Sequence, residues 1–314
     1  MARFNFEKRL FTVAPDDIIE TFVDARHMSI NARPYGGEEL RIEYYSSDEY
    51  PYTARVRDGI VILDCPQDTR PGGLSGMFGM IMTQMNYANW QDMPIDIYVP
   101  RSYQGMLNLC TSHAKISASN LELASRFHAL TTNAAIELRG VLATALELKT
   151  SNAKVIVENV AAFGEPDAQG ELQPTLSRIA SSNGALQLSG LSTLGPLECN
   201  TSNSALRLRD VAIQGALNCA TSNGSAHINA VSVQETASIR TSNASIVLDR
   251  LLARDIVLKT NNGSIKGSIV GQLSDFAVDS HTTNAKNSLP STSTGPRSLS
   301  AHTSNANISL EFVK

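Results

Sequence analysis

The sequence predicts an all-β fold: a single-stranded parallel β-helix, or β-solenoid, of about ten coils of about 20 residues, with three short strands per coil. It is expected to be right-handed and to carry a non-repeating N-terminal β cap. Three observations predict it. A Thr-Ser-Asn triplet returns at a near-constant interval, the apolar residues around it alternate with period two, and the composition is unusual for an α/β enzyme. Only 18% of the residues are charged and 6% aromatic, while Ser, Thr, Asn and Ala are abundant. Small polar residues of that kind fill the tight corners of repetitive β-structures.

Residues 1–105 do not repeat. The stretches MSINARPY, ELRIEYYSS, YTARVRDG and IVILDCP read as strands joined by turns containing Gly and Asp. A solenoid with a bare end would expose apolar core and unpaired strand edge, so this third is expected to act as the N-terminal cap. Within it, segment 68–93 packs Met77, Phe78, Met80, Met82, Met85, Tyr87 and the single tryptophan, Trp90, into a short span. Met-rich surfaces adapt to partners, and a flap over the core explains the same composition. Those seven residues are the candidate partner contact. Residues 1–105 carry 15 acids and 10 bases, against 15 and 16 in 106–314; so mild an asymmetry reads as a solvated face.

After the strand PIDIYVP (94–100), residues 106–314 form the repeat. Alignment on the third residue of the triplet gives His113, Asn133, Asn152, Asn183, Asn203, Asn223, Asn243, Asn262, Asn284 and Asn305. One interval is long because it holds AAFGEPDAQGE (161–171), a Gly/Pro/acid insert expected to be a loop extruded from one coil. Two residues before each aligned position stands Thr or Ser, and one after it stands Ala, Gly or Ser. Apolar residues occupy positions three and five after, as in Leu206/Leu208 and Ile246/Leu248. Such alternation means strands, and its shift of parity after the Asn requires a turn there. By parity the Thr and the Asn of each triplet continue the inward face. Successive Asn side chains are therefore expected to stack as a buried ladder, exchanging amide hydrogen bonds along a rod of roughly 45–50 Å.

Chemistry-bearing residues are few. Cys65, Cys110, Cys199 and Cys219 show neither CxxC nor zinc spacing, and read as packed thiols, with Cys199 and Cys219 neighbours in one inward column. His281 and His302 share a surface column but bring no third ligand. Glu147, Arg178 and Glu198 follow one another in an outward column, and Arg139 and Glu158 in another. Alternating signs suit a solvent-exposed charge network better than an active site. No catalytic residue, metal or cofactor is assigned. A net charge of −4 argues against nucleic acid. No run reaches the ~18 apolar residues a membrane helix requires, and no signal peptide is visible. The chain as written is expected to be cytoplasmic, and at the cell surface if trimmed or exported unconventionally.

The run RPYGGEELRIEYYSSDEYPYTARVRDGIVIL, then PIDIYVP, the Thr-x-Asn repeats, SDFAVDSHTTNAKNSLP and the closing HTSNANISLEFV together resemble the bacterial putative-adhesin family of β-strand-repeat proteins of unknown function. The similarity runs over nearly the whole chain. It implies a β-solenoid, a tie in some members to cell-envelope stress responses, and no catalytic residues. The expected function is non-catalytic binding or scaffolding of an unknown protein or glycan partner. The alternative is a carbohydrate-active β-helix enzyme, lyase- or hydrolase-like, with a site built from loops including 161–171.

Overall fold

The computed structural model describes residues 5–65, 93–290 and 294–314. The protein is all-β: 25 strands share one hydrogen-bonded sheet network, and a single 3-10 turn, Leu273–Asp275, is the helical element among the described residues. Within the repeats, each strand pairs in parallel with its equivalent one repeat away. Leu148 lies beside Ile179, Ile179 beside Cys199, and Cys199 beside Cys219. On the next face Ile116, Ile136, Val155, Leu186, Leu206, Ala226, Ile246 and Ile265 align in register, and every one is fully buried. Apolar columns running the length of the stack supply one continuous core.

The layers turn at a short break before the next first strand, as at 194–196 and 214–216, and at two further corners. One is the triplet. The other lies seven residues after the aligned position, where the backbone has positive φ at Asn120, Gly140, Asn159, Gly190, Asp210, Ala230 and Arg250. Gly, Asn and Asp tolerate this left-handed conformation, which explains most of that column. At Gly190 a side chain would also meet the Asn159 Oδ1 atom at 2.6 Å.

The N-terminal third joins the same sheet. Strand Glu20–Asp24 pairs in parallel with Met106–Cys110, and Ile30–Tyr35 with Ile116–Ser119, so residues 20–35 form the layer beneath the first repeat. Ile60–Asp64 and Ile95–Pro100 still pair in parallel with this layer, and beyond them the pairing becomes antiparallel. Leu40–Ser46 lies between Ile95–Pro100 and Glu7–Val13, and Thr53–Arg57 closes on Ile60–Asp64. Hairpins of this sort end a parallel stack without leaving a bare coil.

At the other end the layers do not stack in chain order. Arg297–Thr303 pairs with the end of strand Ile246–Lys259, and Phe276–Thr282 lies outside it. The later segment is thus inserted beneath the earlier one. Ser280 takes the column position that Leu258 holds further in, so this apolar column ends on a buried hydroxyl.

Candidate binding face

The triplet divides its work between the two sides of the wall. Its first residue is buried except at the half-buried Thr282, and apart from Thr131 the hydroxyl reaches the neighbouring layer. Thr150 Oγ1 donates to the Ala134 carbonyl at 3.0 Å, Ser181 Oγ to Ala153 at 3.0 Å, Thr201 to Gly184 at 3.1 Å, and Thr241 to Gly224 at 3.0 Å. The same hydroxyl can accept the amide N–H three residues on, as Thr221 does from Gly224 at 3.1 Å. A buried hydroxyl thus fills the gap that the corner leaves in the backbone ladder.

The Asn side chains face solvent, not the core as parity predicted. The alternation stops because the N–H groups of both Ser202 and Asn203 donate to one carbonyl, that of Ser182. That shared acceptor turns the chain before the Asn, and its side chain emerges outside. The amides still chain together. Asn152 donates through Nδ2 to Oδ1 of Asn133, Asn183 to Asn152, Asn203 to Asn183, Asn223 to Asn203, Asn243 to Asn223, and Asn262 to Asn243, each at 2.7–2.8 Å. The order then follows the inverted end: Asn305 donates to Asn262, and Asn284 to Asn305.

The outward charges pair along the stack. Arg178 Nε lies 3.0 Å from Glu198 Oε2, Arg139 2.8 Å from Glu158, and Lys115 2.8 Å from Glu137. All are partly exposed, so each contributes little stability. One stretch of this face is recessed. Asn108, His128, Glu147 and Arg178 sit side by side on successive strands, and a cleft of about 180 Å3 opens between Arg126, His128, Glu147, Leu176 and Arg178. His128 Nδ1 contacts Asn108 Oδ1 at 2.7 Å, and Asn108 donates in turn to Glu20 at 2.8 Å.

The insert builds a wall beside this cleft. Glu165–Pro166 pairs with Leu172–Gln173 as a small hairpin, and its turn is organised by Asp167, which accepts from the N–H groups of Gln169 and Glu171 and from Gln173 Nε2. Those bonds hold the Asp167 carboxyl below the usual range, the Glu171 N–H contributing most. Arg126 grips the hairpin with a two-pronged contact to Glu165, the Nη2 prong measuring 3.0 Å. Sequence spacing could not reveal this clamp, since Arg126 and Glu165 occupy unrelated repeat positions.

The remaining sequence candidates separate. Met77, Phe78, Met80, Met82, Met85, Tyr87 and Trp90 lie outside the described residues. His281 and His302 stand in register, and His302 Nε2 meets Asp279 at 3.0 Å. Among the described residues no group of three or more His, Cys, Asp or Glu gathers as a metal site. All four cysteines are free thiols, and burial pushes Cys110 up to about 11.

A family model described as Toastrack DUF4097 matches residues 20–311. Solved structures with similarity over nearly the full chain include a "putative cell adhesion protein" from Clostridium sporogenes. It is 8% identical, with 98% of this chain and 100% of that chain covered, at a TM-score of 0.31. Another is a "putative adhesin" from Bacteroides fragilis, 10% identical, covering 98% and 97%, at 0.32. A "putative lipid binding protein" from Parabacteroides distasonis is 12% identical, covering 99% and 98%, also at 0.32. No curated protein matches. Among the described residues no helix is long and apolar enough to cross a membrane.

Proposed function

This chain belongs to the Toastrack DUF4097 family, and from that premise we propose that it is a non-catalytic binding or scaffolding protein of the bacterial envelope or its stress signalling, receiving an extended protein or glycan partner along one lateral face. The finer architecture belongs to the same reading. Residues 106–314 are about ten coils of a right-handed β-helix, and residues 1–105 serve as its N-terminal cap.

The observation that carries the proposal is the recessed stretch beside the clamped hairpin. A rigid β-wall presents His128, Glu147 and Arg178 in one register-defined row, and the Arg126–Glu165 contact holds a loop at its edge. Polar groups fixed on strands and bordered by a variable loop are how rigid scaffolds offer binding surfaces.

The test is binding and turnover together, with heparin and alginate as acidic polymers and dextran as a neutral one. Saturable binding without new reducing ends, weakened by Arg178→Gln, is the expected result. New reducing ends that vanish in Glu147→Gln would establish the carbohydrate-active alternative. No saturable binding to any polymer would remove the cleft as a glycan site.

A further inference from the structure

The amide ladder has a direction. Every Nδ2 donates toward the N-terminal end, so the terminal Asn133 uses its oxygen to accept from Asn152, and its own NH2 makes no hydrogen bond to a described residue. Aligned amides polarise one another, which leaves the donor end of such a chain the more electropositive. The next position in the column belongs to His113, and beyond it lies His27, the two rings tilted by 32° with centroids 5.1 Å apart. Beside these rings opens a cavity of about 600 Å3, lined by His27, Ser29, Asn31, His113, Lys115 and the backbone-bearing edge at Ala114 and Ala134.

We infer that this cavity binds a sugar-sized ligand carrying an oxyanion, a carboxylate or a phosphate, whose charge is held by the ladder's donor end, the imidazoles and Lys115. Its volume lies within the range of small-molecule sites. The lining offers an ammonium, a hydroxyl and two imidazoles as donors, and Asn133, the donor end of the ladder, immediately precedes the lining residue Ala134. Two carboxylates pair with lining residues or their neighbours: Glu137 faces Lys115 at 2.8 Å, so a bound oxyanion would share that ammonium, and Asp96 faces Arg33 at 3.6 Å and Asn31 Nδ2 at 3.1 Å. Arg26 adds positive field from below. Burial first, then His113 and Arg26, push His27 down to about 4, so this ring is neutral near pH 7 and offers an N–H donor rather than a charge. The Arg26 carbonyl, with its residue at φ 48°, accepts from Ser112 N, His113 N and Thr111 Oγ1, and so fixes the corner carrying both rings.

The experiment uses the full chain, calorimetry, and the ring resonances of its six histidines, with glucuronate, glucose 6-phosphate and glucose as probes. Saturable binding of an anionic probe, with the His113 resonance moving and glucose silent, is expected. Glucuronate alone would identify a carboxylate ligand, the phosphate alone a phosphorylated one, and both together recognition of the oxyanion itself. His113→Asn completes a Thr-Ser-Asn triplet, so it should extend the ladder, consume the Asn133 donor and weaken binding at least tenfold while melting no lower than the parent. Lys115→Gln should weaken binding comparably, as a second variant independent of the ladder. Equal binding of glucose, no shift at tens of millimolar anion, or full binding by both variants would overturn the proposal.

Discussion

The carboxamide of Asn223 donates to that of Asn203 across 2.7 Å while both side chains stand in solvent. Two residues earlier, the buried Thr221 hydroxyl donates to the Ser204 carbonyl at 3.2 Å and accepts the Gly224 N–H. Burial decides which bond matters more, because water replaces a lost partner outside the wall but not inside it. Asn223→Leu is therefore expected to cost about 1 kcal/mol, and Thr221→Val about 1–3 kcal/mol, since it orphans a buried N–H. Denaturant unfolding of the two variants checks the order. A larger loss in Asn223→Leu would mean that the ladder, not the hydroxyl column, holds the corner.

The second corner supplies a prediction of opposite sign. Ala230 and Arg250 sit at φ 49° and 57°, where their equivalents include Gly140 and Gly190. A non-glycine residue there carries roughly 1–2 kcal/mol of left-handed strain. Ala230→Gly should recover part of it, offset by the greater flexibility of glycine in the unfolded chain, and raise the melting temperature by about 1–3 °C. A lower melting temperature would show that packing of the Ala230 methyl outweighs the strain.

What could be read from the sequence was what repeats with a period of two. The buried columns, the inward Thr and the alternating Arg178–Glu198 and Arg139–Glu158 pairs follow from aligning residue types, because a parallel register maps sequence columns onto space. Features that break the period stayed hidden. The outward Asn depends on two N–H groups sharing the Ser182 carbonyl, which no side-chain pattern records. The left-handed corner did leave a signal, the Asn/Gly/Asp column from Asn120 to Asp210, but it fell between the apolar positions that set the alignment. The interchange of Phe276–Thr282 with Arg297–Thr303 and the meeting of His27 with His113 are long-range events between segments with no shared spacing.

Acid should weaken the fold partly through His27. Its folded value near 4 lies below the ordinary 6.5, through burial and then the charges of His113 and Arg26. The unfolded chain therefore binds a proton first as pH falls, and stability is lost from about 6.5 down to about 4. Carboxylates such as Glu43, held low chiefly by its hydrogen bond from Lys8, lose stability at lower pH in every variant. His27→Gln should accordingly show a shallower fall between 6.5 and 4, measured by urea midpoints across that window. Parallel curves for the two proteins would rule His27 out as a contributor.

The inverted end makes a prediction about where the stack opens first. Arg297 lies with its guanidinium 4.2 Å from the Phe276 ring centroid and donates through Nη2 to the Ala253 carbonyl at 2.6 Å and to the Val270 carbonyl at 3.4 Å. It thus ties the inserted layer to the one beneath and to the one outside. Lysine keeps the charge but loses the planar fork that reaches two carbonyls and covers the ring. In a stack where each layer contacts only its neighbours, loosening the last two should not propagate far inward. Arg297→Lys is therefore expected to speed amide hydrogen exchange in Phe276–Thr282 and Arg297–Thr303 by about tenfold, corresponding to about 1.4 kcal/mol, and to leave Leu206–Ile213 unchanged. Uniform acceleration across all three segments would show instead that the stack opens as one cooperative unit and that the terminal clamp stabilises the whole of it.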